Sequence, residues 1–234
     1  MKFHKLDELP TLKNGTLLLC LPSPGNVGQL VGDLLIYNFK GKRLGYYEND
    51  HIIPFVSASP YDEKDSSLHF AAELYQLKDK PSLFVLLIRT GVTSSKALYL
   101  DLYAYLNKDE FITNSINSSL LVTSGSQSMS VEPQVAMGQI QLLTDDIIVN
   151  PVPGLYMTPL TKDHMGTQIH GLTRRLIQYK DTLKSHKLQS MIMLVHEGNN
   201  IPHAMAFLQA LLIALSHDFL GRVAVPSSWS SLIK

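Results

Sequence analysis

Cysteine is almost missing from this chain of 234 residues: Cys20 stands alone, which excludes a disulfide framework and a cysteine-built metal site. Charge is scarce too. Charged residues make up 17%, and 20 Lys and Arg balance 20 Asp and Glu, for a formal net charge of +0. No basic run occurs, whereas a nucleic-acid reader displays a basic face or stripe; that partner class drops out. Total charge does not say whether a folded surface segregates the two signs. Long apolar runs are missing as well. "AMAFLQALLIAL" at 204–215 is too short to cross a bilayer and is broken by Gln209. The opening "MKFHKLDELPTLKNG" lacks the apolar core of a signal peptide. With hydrophobic residues at 45%, the composition lies far from that of disordered chains and supplies a sizeable core. A soluble protein inside the cell is the expectation.

What is present is alternation of strand and helix patterns. "TLLLCLP" at 16–22 is an apolar run bounded by Gly15 and Pro22, as a buried strand requires. The turn Ser23-Pro24-Gly25-Asn26 follows, and then Val27, Leu30, Val31, Leu34 and Leu35 recur on one helical face. Strands are predicted at 43–48, 51–57, 71–77 and 82–89, a helix at 94–107 and a buried strand at 119–123. The helix buries Leu98, Leu102, Ala104 and Tyr105. Between 124 and 160 the pattern weakens to a loop and irregular strands. A helix from 172 to about 183, a strand at 190–197 and a helix from Ile201 to about His217 complete the chain. No internal repeat or low-complexity linker divides it. Strands alternating with helices predict one α/β domain over residues 1–234, a mostly parallel sheet covered on both faces.

Candidate chemical motifs fail one by one. His196-Glu197 resembles half of a zinc-protease motif, but H-E-x-x-H needs a second His four residues on, and that position holds Asn200. Pro202 suits a first helical turn, and Asn199 or Asn200 is a natural cap before it. The turn with Gly25, Gly28 and Gly32 offers glycines between strand and helix, where phosphate can be cradled. Its spacing is not G-x-G-x-x-G, and no Lys follows for a Walker loop. The simpler reading is a tight turn at Gly25 and a small stripe, Gly28 and Gly32, that lets the helix pack closely. Gly125-Ser126-Gln127-Ser128 is not the G-x-S-x-G of a nucleophile elbow. Nine histidines lie scattered without metal-ligand clustering, and Asp145-Asp146 reads as a solvated turn. Nothing assembles into a catalytic constellation, and no cofactor or metal is expected.

Read in order, five stretches resemble one family. "GNVGQLVGDLLI" at 25–36 and "LGYYENDHIIPFVSASPY" at 44–61 resemble the N-terminal half of the proteasome assembly chaperone 2 family. "HGLTRRLI" at 170–177, "VHEGNNIPHAMAFLQAL" at 195–211 and "VPSSWSSL" at 225–232 resemble its C-terminal signatures. The motif residues are Gly25, Asn26, Val27 and Gly28; Glu197, Gly198, Asn199 and Asn200; and Pro226, Ser228 and Trp229. The resemblance implies a three-layer α/β/α fold, distantly similar to nucleoside phosphorylases, without catalysis. It implies a heterodimer with the chaperone 1 subunit, in cytoplasm and nucleus, seated on the outer face of the proteasome α-ring. There it would promote correct core-particle assembly and block off-pathway association and premature activator docking, without ATP. The alternative is a nucleoside phosphorylase-like or nucleotide-binding enzyme using the Gly25–Gly32 turn. Trp229, the sole Trp, reads either as an interface anchor or as a core plug. The tail Leu232-Ile233-Lys234 is a candidate contact, although it has Ile where proteasome-binding tails carry a penultimate Tyr. Either the tail docks weakly or the partner subunit supplies the inserted motif.

Overall fold

A computed structural model describes residues 1–126, 140–142, 157–159, 169–178, 187–218 and 220–229. Its strands are β1 (Lys2–Lys5), β2 (Gly15–Cys20), β3 (Gly41–Glu48), β4 (Val56–Ser57), β5 (His69–Phe70), β6 (Ala72–Leu77), β7 (Leu83–Ile88), β8 (Ile116–Ser126), β9 (Ile140–Leu142), β10 (Met157–Pro159) and β11 (Lys187–Val195). Its helices are α1 (Val27–Asn38), α2 (Ser95–Lys108), α3 (Glu110–Ser115), α4 (Gly171–Gln178) and α5 (Ile201–Ala214). Nine strands form one sheet in the order β1-β3-β6-β7-β2-β8-β11-β9-β10; β4 and β5 form a separate ribbon.

The four central strands β7, β2, β8 and β11 are mutually parallel. Helices cover both of their faces, so they carry continuous apolar sequence rather than alternation with polar residues. Side chains nevertheless point alternately to the two faces. Leu18, Cys20, Val85, Leu87, Val122 and Met193 join the core under α1 and α5. Leu17, Leu19, Phe84, Leu86, Leu121 and Ile192 join the core under α2, α3 and α4. This is the expected three-layer α/β/α arrangement. Its parallel centre is flanked by antiparallel pairs, β7-β6-β3-β1 on one side and β11-β9 on the other.

Glycine decides how closely α1 approaches the sheet. A Cβ added at Gly28 would lie 2.4 Å from the Val122 carbonyl oxygen, and one at Gly32 would lie 2.9 Å from both Cys20 Cβ and Leu87 Cδ1. The stripe therefore serves close packing, as its spacing suggested.

Four expectations need correction. The strand predicted at 51–57 is broken at Pro54, which has no N–H to give a ladder. Only Val56 and Ser57 pair as a strand, while Ile52 makes an isolated bridge to Val92. The loop predicted from Ser124 begins later, because β8 runs on through Ser126 alongside β11. β11 itself ends at Val195, so His196 and Glu197 lie beyond the strand. β1 and α3 were not anticipated: "KFHK" has no apolar alternation, and a helix of six residues is too short for its period to show. Ala104 is only partly buried, and Leu106 takes its place in the core beside Leu98, Leu102 and Tyr105. Residues 127–139, 143–150 and the tail Leu232-Ile233-Lys234 lie outside the described residues, as does the far end of the helix predicted to about 183. Among the described residues, no helix is long and apolar enough to cross a membrane.

Candidate functional site

Parallel strands end on one edge of the sheet, the edge where α/β folds usually hold their ligands. The turns after β2, β7 and β11 all emerge there. So does the long connection from β3 to β6, since β6 runs antiparallel to β7 and β3 antiparallel to β6.

Two of the sequence motifs meet at this edge. Gly25 adopts φ +64, a left-handed conformation that favours glycine. The Asn200 side chain sits against it. Asn200 Nδ2 donates to the Gly25 carbonyl at 3.2 Å, to the His196 carbonyl at 2.9 Å and to the Gly198 carbonyl at 3.3 Å. A Cβ at Gly25 would fall 2.5 Å from Asn200 Nδ2 and 2.8 Å from Val195 Cγ2. Of the two candidate caps, Asn199 bonds the new helix, its Oδ1 accepting from Ile201 N at 3.1 Å, while Asn200 turns away to join the two turns. Ser124, at the end of β8, closes the same junction: its Oγ donates to the Pro24 carbonyl at 2.5 Å and lies 2.8 Å from Ser23 Oγ. The Ser124 hydroxyl, just before the Gly125–Ser128 stretch, is thus buried and spent on turn geometry. Val195 and Asn200 occupy the space that a side chain at position 25 would need. His196 and Glu197 belong to no group of His, Cys, Asp or Glu able to hold a metal, and none exists among the described residues.

The third motif goes elsewhere. Trp229 is only 5% exposed and packs into the core under α1 and α5, the position a core plug takes. A short turn carries it inward, with Trp229 N bonded to the Pro226 carbonyl at 3.0 Å and Ser228 Oγ to the Pro60 carbonyl at 2.9 Å. Asn38 at the end of α1 grips the same segment through both backbone groups of Ala224. Pro226 therefore closes the turn that carries Trp229 inward, and Ser228 ties the segment to the β3–β6 connection.

A buried charge network, missed from the sequence, fastens that connection. Glu73 on β6 is fully buried and accepts from Arg43 Nη1 at 2.8 Å, Arg89 Nη1 at 2.8 Å, the Tyr75 hydroxyl at 2.6 Å and Phe70 N at 3.1 Å. His69 Nδ1 lies 3.2 Å from the same carboxylate. Burial alone would push this carboxyl up. The hydrogen bonds from His69, Tyr75 and Arg43 and the Arg89 charge outweigh it and hold it at about 2, so it stays ionised. Arg89 Nη2 donates to Tyr61 Oη at 2.5 Å and to Asp33 Oδ1 at 3.3 Å, and the Tyr61 hydroxyl donates to Asp33 Oδ1 at 2.6 Å. Asp33 is raised from its ordinary value, burial outweighing Arg89 and Tyr61. Arg43 also reaches the connection's backbone, donating to the Leu68 carbonyl at 2.5 Å. Every charge here is answered by a neighbour, so the network works as a clasp on residues 61–70 rather than as an acid–base pair with a free valence. The available signal was a charge interrupting each buried run, Asp33 in "VGDLL", Glu73 in "AAELY" and Arg89 after "FVLLI". Any one of these reads as solvated until the fold brings them together.

Among the described residues, four of the six large hydrophobic side chains that stand exposed lie on the clasped connection. Ile53 is 47% exposed, Phe55 41%, Val56 57% and Leu68 58%. Beside them, Tyr46, Ile52, Phe55, Val56 and Phe70 line a mainly apolar cavity of about 190 Å³.

The PAC2 family model matches residues 17–135, more than half of the chain. The chain belongs to the PAC2 family. Proteasome assembly chaperone 2 of Mus musculus is 28% identical over 260 residues, covering 97% of this chain and 94% of that protein. The Homo sapiens protein of the same name is 28% identical with the same coverage. Proteasome assembly chaperone 2 of Danio rerio is 40% identical over 93 residues, 38% of this chain and 35% of that one. Among solved structures, Pyrococcus furiosus PbaB, an archaeal proteasome activator, superposes with TM-score 0.68 at 17% identity, covering 94% of this chain and 90% of its own. PbaA of the same organism, an archaeal homolog of proteasome-assembly chaperone, gives TM-score 0.63 at 12% identity, with coverage of 94% and 88%. At such identities the likeness establishes a shared fold, and that PAC2-type fold is the α/β/α sandwich described above.

Proposed function

We propose that this chain is a proteasome assembly chaperone acting as one domain over residues 1–234. It pairs with the chaperone 1 subunit, binds the outer face of the proteasome α-ring, promotes correct core-particle assembly and blocks off-pathway association and premature activator docking. The relationship to assembly chaperone 2 proteins over nearly the whole chain supports the role. One structural observation carries the manner of action: the motif turns are consumed by packing, while Ile53, Phe55, Val56 and Leu68 stand bare at the same edge. A protein that works by occupying surfaces needs such a patch, which monomers rarely display without a partner. No bond is made or broken. Preferential binding to one assembly state shifts the population toward it, so neither a cofactor nor ATP is needed. The action is placed in cytoplasm and nucleus, where its α-ring partners assemble. For the alternative, an enzyme of nucleoside phosphorylase type using the Gly25–Gly32 turn, Asn200 and Val195 crowd the turn at Gly25.

The deciding measurement is an affinity pull-down of the tagged chain from its own cell extract, with eluted proteins identified by mass spectrometry. Recovery of a chaperone 1 subunit in equal amount, with proteasome α-subunits and few activator subunits, is the expected result. Recovery of the chain alone, or a saturable thermal shift with nucleosides and phosphate, would overturn it.

A further inference from the structure

We infer that the Ile53–Val56 and Leu68 surface is the face onto which the paired subunit docks, and that the subunit brings to it an apolar knob ringed by Lys and Arg. The inference rests on the pairing proposed above and adds its location and chemistry.

Three observations carry it. Permanent interfaces are more apolar than transient ones, resembling a core cut in half. This patch is apolar, with a mainly apolar cavity beside it to receive a side chain. Next, the patch is preformed. Residues 61–70 are clasped to the sheet through Glu73, Arg89 and Arg43, and Ile53 is tied by its N–H to the Gly91 carbonyl at 3.1 Å and by its carbonyl to Thr90 Oγ1 at 2.7 Å. A rigid patch binds without the cost of ordering.

The last observation is charge. Along the connection that carries the patch, Asp50, Asp62 and Glu63 are exposed and none has an ion-pair partner among the described residues, against one exposed cation, Lys64. Glu48 adds a fourth carboxylate, shared with His4 and Lys2. The chain's balanced total charge is therefore unevenly distributed, and the connection is acidic. A partner with basic residues around an apolar centre gains affinity there, while like charge repels wrong partners.

The test co-expresses the chain with its cognate chaperone 1 subunit and measures the dissociation constant of the purified pair. Ile53→Asp with Val56→Asp places charge on side chains already about half exposed, so folding, checked by circular dichroism, is retained. Binding is expected to weaken at least a hundredfold. Asp62→Lys with Glu63→Lys is expected to weaken it about tenfold at low salt, with the difference shrinking as salt rises. Leu100→Asp, on the equally exposed Leu100 of α2, is the control and is expected to leave binding unchanged.

If the wild-type chains do not bind, the pairing itself fails, and this assignment fails with it. Binding by I53D/V56D at wild-type strength overturns the docking face alone. So does an equal loss in L100D, which would mean that the effect is not local. Self-association of the isolated chain through this patch, at the same affinity as pairing, would make the occupant a second copy and overturn the assigned partner.

Discussion

Glu73→Gln is the sharpest probe of this fold, because it changes one atom at the centre of the clasp. The carboxylate answers two guanidinium groups and is hydrogen-bonded to five partners, Arg43, His69, Phe70, Tyr75 and Arg89, in a site with no solvent access. The amide presents N–H groups where donors already point, leaves Arg43 without its countercharge and leaves Arg89 only Asp33. Breaking a buried pair on one side costs about 3–5 kcal/mol. For a chain of this size each kcal/mol is worth about 2–4 °C, so a fall in melting temperature of about 10 °C is expected. Because Tyr61, Leu68 and His69 hang on the same network, limited proteolysis within 58–68 should accelerate. The pH dependence gives an independent check. Glu73 titrates at about 2, below its ordinary 4.5, so its stabilisation is complete above about 4.5 and is lost as pH falls toward about 2. Asp33 is raised and acts in the opposite sense, but it is present in both proteins. The gap between wild type and E73Q, followed by denaturant unfolding, should therefore close on acidification through that window. A loss below about 1 kcal/mol at neutral pH, or a gap that stays constant between pH 5 and 2, would refute the clasp.

Two further substitutions test the packing of the motif turns. Gly28→Ala forces a methyl to 2.4 Å from the Val122 carbonyl, and overpacking of this kind costs about 1–3 kcal/mol; a melting temperature equal to wild type would show that α1 can move off the sheet. Asn200→Ala removes the hydrogen bond that joins the turn after β11 to the turn after β2, and two more that brace its own turn. A loss of about 1–3 kcal/mol is expected, measured by urea unfolding, and an unchanged midpoint would mean that the turns hold without it.

Much of the framework was legible because it depends on local periodicity. The apolar runs of β2, β7 and β11 read as buried strands, and they are buried on both faces. The Gly28–Gly32 spacing read as a close-packing stripe and proved one, since no side chain fits between α1 and the Val122 carbonyl. Pro202 marked the first turn of α5. Where a single residue breaks local continuity the reading failed, as at Pro54. Where a strand owes its existence to a neighbour it was invisible, as for β1, which pairs antiparallel along the edge of β3.

The roles of particular residues were less accessible, because they arise from contacts distant in sequence. Asn200 looked like a cap, and its partner is Gly25, across a parallel sheet. Trp229 could plug a core or anchor an interface, and only the turn bonded to Pro60 showed which side of the surface it occupies. Asp33, Glu73 and Arg89 sit on α1, on β6 and just beyond β7, and no spacing along the chain connects them. The sequence alone determined the layers and the family, because hydrophobic periodicity and ordered motifs are properties of the chain itself. Only the tertiary structure decided which residues are spent on holding the carboxyl edge together and which are left bare on it, because burial and charge pairing depend on distances that folding creates.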